Sequence, residues 1–183
     1  MKRDFLLVDG YNIIHAWPEL LEMTEVSLES ARQKLMDTMS NYQGYHSHLE
    51  VIVVFDGYLV KGNSGTAFRY HNIHVVFTKE AETADHYIER LCDQWAERAE
   101  LGLVEIRVAT SDLLEQTLVL GRYATRLSSR ELLREIHAAG PEQRRQEFRS
   151  DRTLLIDRVP EDVRLRLESL RRGEQYQSED GNP

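Results

Sequence analysis

Three aspartates follow Val-rich apolar runs in this chain: Asp9 ends "LLVD", Asp56 ends "VVFD" and Asp112 closes "RVATSD". A fourth, Asp85, lies in "TKEAETADHYIERL", residues 78–91, just past Thr83, a natural helix N-cap. If the runs are strands of a parallel sheet, their carboxyl ends share one edge, where ligands of open α/β sheets bind. A helix opening near Thr83 starts at that same edge and carries Asp85 in its first turn. Gathered carboxylates repel one another and desolvate poorly, a cost that a divalent cation removes. Hard oxygen ligands suit Mg²⁺ or Mn²⁺, and the scattered histidines and lone cysteine show no zinc-like spacing. The chemistry expected of such a site is metal-assisted phosphodiester hydrolysis, in which the cation supplies an activated water and stabilises the leaving oxygen.

Other polar residues flank the four acids. Asn12, three places after Asp9 in "VDGYN", can brace that carboxylate or cap a helix, and Gly10 is expected to permit a tight turn. Glu82 is a supporting acid or helix-end charge, while Thr110 and Ser111 can hold water, phosphate or backbone. Lys61, Arg69 and Lys79 flank the expected crevice and are placed to meet substrate phosphates without reading sequence. Tyr11, Tyr58 and Tyr70 can stack on unpaired bases or simply pack. Arg122, Arg126, Arg130 and Arg134 recur every four residues and make one basic stripe if a single helix carries them all, which Gly121 and "LSS" oppose.

The elements that must position these groups follow from hydrophobic patterning. Strands are expected at 5–9, 50–56, 73–78 and 104–112, rich in Val, Ile or Phe. Helical spacing marks 27–46, where Leu28, Ala31, Leu35, Met39 and Tyr42 form one face behind Ser27, and 82–101, opened by Thr83. Residues 57–72 read as one long glycine-containing loop, further helices are expected at 112–120, 128–138 and 160–172, and 173–183 reads as a disordered tail. Alternating strands and helices imply an α/β fold with a mainly parallel sheet.

Bulk properties set the remaining bounds. The 183 residues fit one domain, 1–172, and the formal charge of −8 argues against nucleic-acid binding by overall charge. That charge is uneven: 10 basic against 19 acidic residues through 121, then 13 against 9 over 122–172, so an acidic core precedes a basic helical part. Cys92, expected to be a buried helix residue, excludes an internal disulfide, and no apolar run resembles a membrane span or signal peptide; the expected setting is the cytoplasm.

Taken in order, "VDGYN" (8–12), "VFDGY" (54–58), "FTKEAETADHYIE" (77–89) and "VATSD" (108–112) resemble the YacP type of NYN domain, a branch of the PIN-like ribonucleases. "RLSSRELLREI" (126–136) extends the likeness less specifically. The resemblance implies a three-layer PIN-like fold with helices on both faces of the sheet, plus C-terminal helices. It also implies a Mg²⁺ or Mn²⁺ site of Asp9, Asp56, Asp85 and Asp112 and endonucleolytic cleavage of RNA, with mRNA and the ribosome as expected partners and neither DNA nor membrane. Two other readings compete: an RNA- or ribosome-binding module without activity, which the complete acidic set opposes, and a receiver-like phosphotransfer domain, which the missing lysine after "ATSD" opposes.

Overall fold

The computed structural model describes residues 3–57, 65–79, 81–111 and 124–139. Its elements, in chain order, are β1 (Arg3–Asp9), α1 (Gly10–Ala16), α2 (Pro18–Val26), α3 (Leu28–Gly44), β2 (Leu49–Phe55), β3 (Thr66–Tyr70), β4 (Ile73–Phe77), α4 (Ala84–Glu100), β5 (Val104–Thr110) and β6 (Ala124–Ser128). A further helix, α5, runs over 129–139. The strands form one six-stranded sheet in the order β3-β4-β2-β1-β5-β6, parallel except for β3, which pairs antiparallel with β4 at the edge.

The expected α/β architecture is present. Strand β1 shows why: Leu6 and Val8 enter one core with α1, α2, α3 and Leu132, whereas Phe5 and Leu7 enter a second core with Ile88 and Cys92 of α4. Successive strand side chains point to opposite faces, so a continuous apolar run is what a sheet covered on both sides requires. Helices therefore sandwich the sheet in three layers, with α4 on the second face. Cys92 is buried, as the spacing of α4 predicts.

Local capping sets several boundaries. Ser27 opens α3 by accepting the Ser30 N–H at 3.2 Å, and Thr83 opens α4 by accepting the His86 N–H at 3.3 Å. Ser128 and Glu131 form a reciprocal capping box at the start of α5, the Glu131 carboxylate accepting the Ser128 N–H at 2.8 Å. Pro18 occupies the first turn of α2, where its missing N–H costs nothing.

Three expectations need correction. Part of the long loop at 57–72 is strand β3: "TAFRY" is exposed along most of its length, so it lacks the buried alternation that announces a strand and is held by backbone pairing to β4. The stretch counted as the start of a basic helical part contains β6, and Arg126 is a strand residue whereas Arg130 and Arg134 are on α5. The four arginines therefore do not make one helical stripe. Gly10 is the first residue of α1 and does not adopt a positive φ. It is needed for space, because a Cβ there would lie 2.3 Å from the Phe55 ring. The helices expected at 112–120 and 160–172 and the tail at 173–183 lie outside the described residues.

Candidate functional site

The parallel strands deliver their carboxyl ends to one edge, and Asp9 sits there at the junction of β1 and α1. It ends the strand and caps the helix at once: Oδ1 accepts the Asn12 N–H at 3.0 Å, and Oδ2 accepts from the Asn12 amide at 3.4 Å. Asn12 is thus the residue held by the cap, and the cap is Asp9. The Asn12 side-chain oxygen also accepts from the Ser111 hydroxyl, which ties the end of β1 to the end of β5. Thr110, the last residue of β5, is fully buried.

Asp9 is only 4% exposed. Burial pushes its carboxyl from 3.8 up to about 7; the Asn12 N–H pulls down, and the charges of Asp85 and Asp56 push up further. Each tenfold change in proton affinity is about 1.36 kcal/mol of differential stabilisation of the two protonation states. Asp9 is therefore held at a place where a negative charge is poorly supported by the protein itself, and the charges that push it upward are those of other acids.

Asp56 follows β2 directly and is half-buried, and its Oδ1 accepts the Ala84 N–H at 2.7 Å. It joins the end of β2 to the first turn of α4 and so helps aim Asp85, the half-buried acid of that turn. Thr78 supports the same junction: its hydroxyl accepts the Gly57 N–H at 2.9 Å and donates to the Glu82 carbonyl at 2.5 Å. The Glu82 carboxylate is engaged by Arg90. Asp112, Lys61, Arg122 and Tyr58 lie outside the described residues. Asp9 feels the charges of Asp85 and Asp56, yet among the described residues no three acid, histidine or cysteine side chains form a metal cluster.

The other expected residues separate into groups. Arg69 is exposed on β3, its Nε donating to the His71 carbonyl at 3.2 Å, and Lys79 is exposed just after β4. Tyr11 is not free to stack on a base, and Tyr70 is half-buried against the core. Tyr11 is 5% exposed and packs edge-on against Phe55, while the Tyr70 hydroxyl donates to Asp37 at 2.6 Å.

One buried group escaped the sequence reading. The Arg32 guanidinium donates to the Tyr11 hydroxyl at 2.8 Å, pairs with Glu29, lies 5.7 Å from the Phe77 ring centroid, and leaves its Nε without a partner. Burial raises the Tyr11 phenol, and the Arg32 hydrogen bond opposes that rise. A signal was available: Arg32 is four residues past Leu28 and three before Leu35, so helical spacing places a cation on the apolar face.

A family model for the YacP-like NYN domain matches residues 6–172. The chain belongs to that family. It is 42% identical over 173 residues to the uncharacterized protein YacP of Bacillus subtilis (strain 168), covering 93% of this chain and 98% of that one. Two crystal structures of Rae1 (YacP) from Bacillus subtilis also match. A mutant form aligns with TM-score 0.66 and 38% identity over 91% of this chain and 99% of that chain. A second structure aligns with TM-score 0.65 and 42% identity over 93% and 95%. Membership of the YacP-like NYN family supports a nuclease-like role directed at RNA. No described helix is long and apolar enough to cross a membrane.

Proposed function

We propose that this protein is a metal-dependent endoribonuclease that hydrolyses RNA phosphodiester bonds, acting in the cytoplasm on mRNA engaged with ribosomes. The observation that carries the reading is the buried Asp9 at the carboxyl edge of the sheet, its ionisation opposed by burial and by Asp85 and Asp56, within a YacP-like NYN domain. Carboxylate oxygens are the donors a hard divalent cation takes, and such a cation would compensate the Asp9 charge that the protein leaves poorly supported. Asp9, Asp56 and Asp85 would hold Mg²⁺ or Mn²⁺, with Asp112 as the fourth acid of the motif. When bound, the cation supplies an activated water and charge stabilisation for the departing oxygen.

The chain's own residues supply the rest. Asn12 fixes both oxygens of Asp9, and through Ser111 it holds the ends of β1 and β5 in register. Asp56 commits Oδ1 to the Ala84 N–H, so its second oxygen is the one that would face a ligand. Exposed Lys79 and Arg69 would neutralise substrate phosphates, with Lys61, Arg122, Arg126 and Arg130 as further basic contacts. The ribosomal context rests on the family resemblance.

The test is cleavage of labelled RNA by the purified chain with Mn²⁺ or Mg²⁺, with and without translating ribosomes, beside Asp9→Asn and Asp85→Asn. Cleavage that disappears in both variants is the expected result, and cleavage confined to ribosome-bound mRNA supports the narrower reading. An inactive wild type that still binds RNA or ribosomes refutes the enzyme and leaves a binding module. Variants that cut as fast as the wild type refute this acidic site.

A further inference from the structure

We propose that the face of the β3–β4 hairpin beside α4 is a binding groove for unpaired RNA that leads to the acidic edge. Helix α4 packs on β1, β2, β5 and β6. The antiparallel β3–β4 hairpin extends the sheet past that cover and leaves two concavities of about 390 and 530 Å³, which share Ala67, Val76 and Tyr87. Directly opposed residues of an antiparallel pair share a face, so Ala67 with Val76 and Arg69 with His74 point into the groove together. Ile52 and Val76 give it an apolar floor, and Tyr87 and Leu91 form the α4 wall.

Charge and planarity point to the occupant. The chain carries a formal charge of −8. Among the described residues, this groove instead presents Arg69, Lys79 and Arg90 against the single acid Glu82, which pairs with Arg90. The Arg90 guanidinium lies over the Tyr87 ring, 4.8 Å from its centroid. A guanidinium plane backed by an aromatic ring is a surface on which an unpaired base stacks, and stacking tolerates any base sequence. Cations on both sides of an apolar floor suit a single strand, whose phosphates lie outside its bases. At its upper end the second concavity reaches Thr78 and Lys79, next to the junction where Asp56 meets α4. The substrate class and the direction of the strand rest on the nuclease reading; the groove itself rests on the geometry of the hairpin.

Binding is measured by fluorescence anisotropy with a fluorescein-labelled, unstructured RNA of about ten nucleotides and full-length Asp9→Asn protein, which separates binding from cleavage. Tyr87→Ala in that background should weaken binding about tenfold, as loss of one stacked base does. Tyr87→Phe should leave binding unchanged. Arg69→Ala with Lys79→Ala should weaken binding and reduce the dependence of log affinity on log salt by about 1.4, or about 0.7 for each single-strand phosphate left without its cation. Arg69 and Lys79 are exposed, so that pair keeps the test independent of any effect of Tyr87→Ala on folding. Unchanged affinity in both the Tyr87→Ala and the double variant overturns the groove, as does competition by polyglutamate equal to that by RNA, which would indicate a protein partner. Cleavage assays run in parallel keep the two readings apart. Normal binding by groove variants, with cleavage still lost in Asp9→Asn, sinks the groove and keeps the nuclease. Weakened binding with no wild-type cleavage does the reverse.

Discussion

Asp9 offers a direct measurement of what the acidic edge costs the fold. Its folded-state pKa is about 7 against 3.8 for the ordinary carboxyl, a rise of about three units. Because the folded value lies above the unfolded one, Asp9 favours the folded state fully below pH 3.8, and that advantage fades as pH rises towards and through 7. At 1.36 kcal/mol per unit, the loss is about 4 kcal/mol by pH 8. Asp9→Asn removes the titration while keeping a good N-cap, since asparagine can accept the Asn12 N–H as aspartate does. Urea unfolding in chelator should therefore show the variant gaining on the wild type between pH 4 and pH 8 and overtaking it at the alkaline end. Difference curves isolate Asp9 and its coupling to Asp85 and Asp56, because all other carboxylates are common to both proteins. Adding Mg²⁺ or Mn²⁺ at one hundred times its dissociation constant should return about 2.7 kcal/mol to the wild type and much less to Asp9→Asn. Parallel pH curves for the two proteins would refute the buried, unsupported carboxylate. Equal stabilisation of both by the cation would refute its role as a ligand.

Three further outcomes follow from particular side chains. Gly10→Ala should cost about 1–3 kcal/mol by overpacking, read as a lower urea midpoint, because the new Cβ meets a fully buried Phe55 ring already stacked on Phe77. Asp56→Ala should destabilise by about 1 kcal/mol through removal of the bond to the Ala84 N–H at the start of α4, and it should abolish cleavage; full activity at reduced stability would confine Asp56 to capping. Trp17→Phe removes the indole N–H donated to the Ser129 carbonyl at 2.9 Å, and should cost about 1–3 kcal/mol for the stranded acceptor, detected as faster hydrogen exchange at the start of α5.

Much of the architecture was legible because it depends on local patterning. Burial on both faces of a parallel sheet demands unbroken apolar runs, and "FLLV" and "VIVVF" supply them, whereas "VEIRVAT" announces β5 by its Val and Ile at alternate positions. Helical spacing with Ser27 and Thr83 as caps locates α3 and α4 within a few residues. Strand β3 was illegible for the opposite reason: an edge strand exposed along most of its length needs only backbone partners, so side-chain type carries little of its signal. Strand β6 is five residues long with Thr125 and Arg126 in its centre, and an arginine spacing of four suggested a helix that the sheet overrides.

The candidate site divides along the same line. Sequence alone determined that Asp9 and Asp56 stand at strand ends and that Asp85 opens a helix, because strand ends and helix caps are properties of neighbouring residues. Tertiary structure decided what each acid experiences. Asp9 is buried where the charges of Asp85 and Asp56 reach it, Asp56 spends one oxygen on α4, Glu82 pairs with Arg90, and Arg32 is drawn inside against Tyr11. The groove beside Tyr87 exists only because β3 extends the sheet beyond the cover of α4. Burial, pairing and charge depend on which distant segments meet, and residue spacing along one chain does not contain that information.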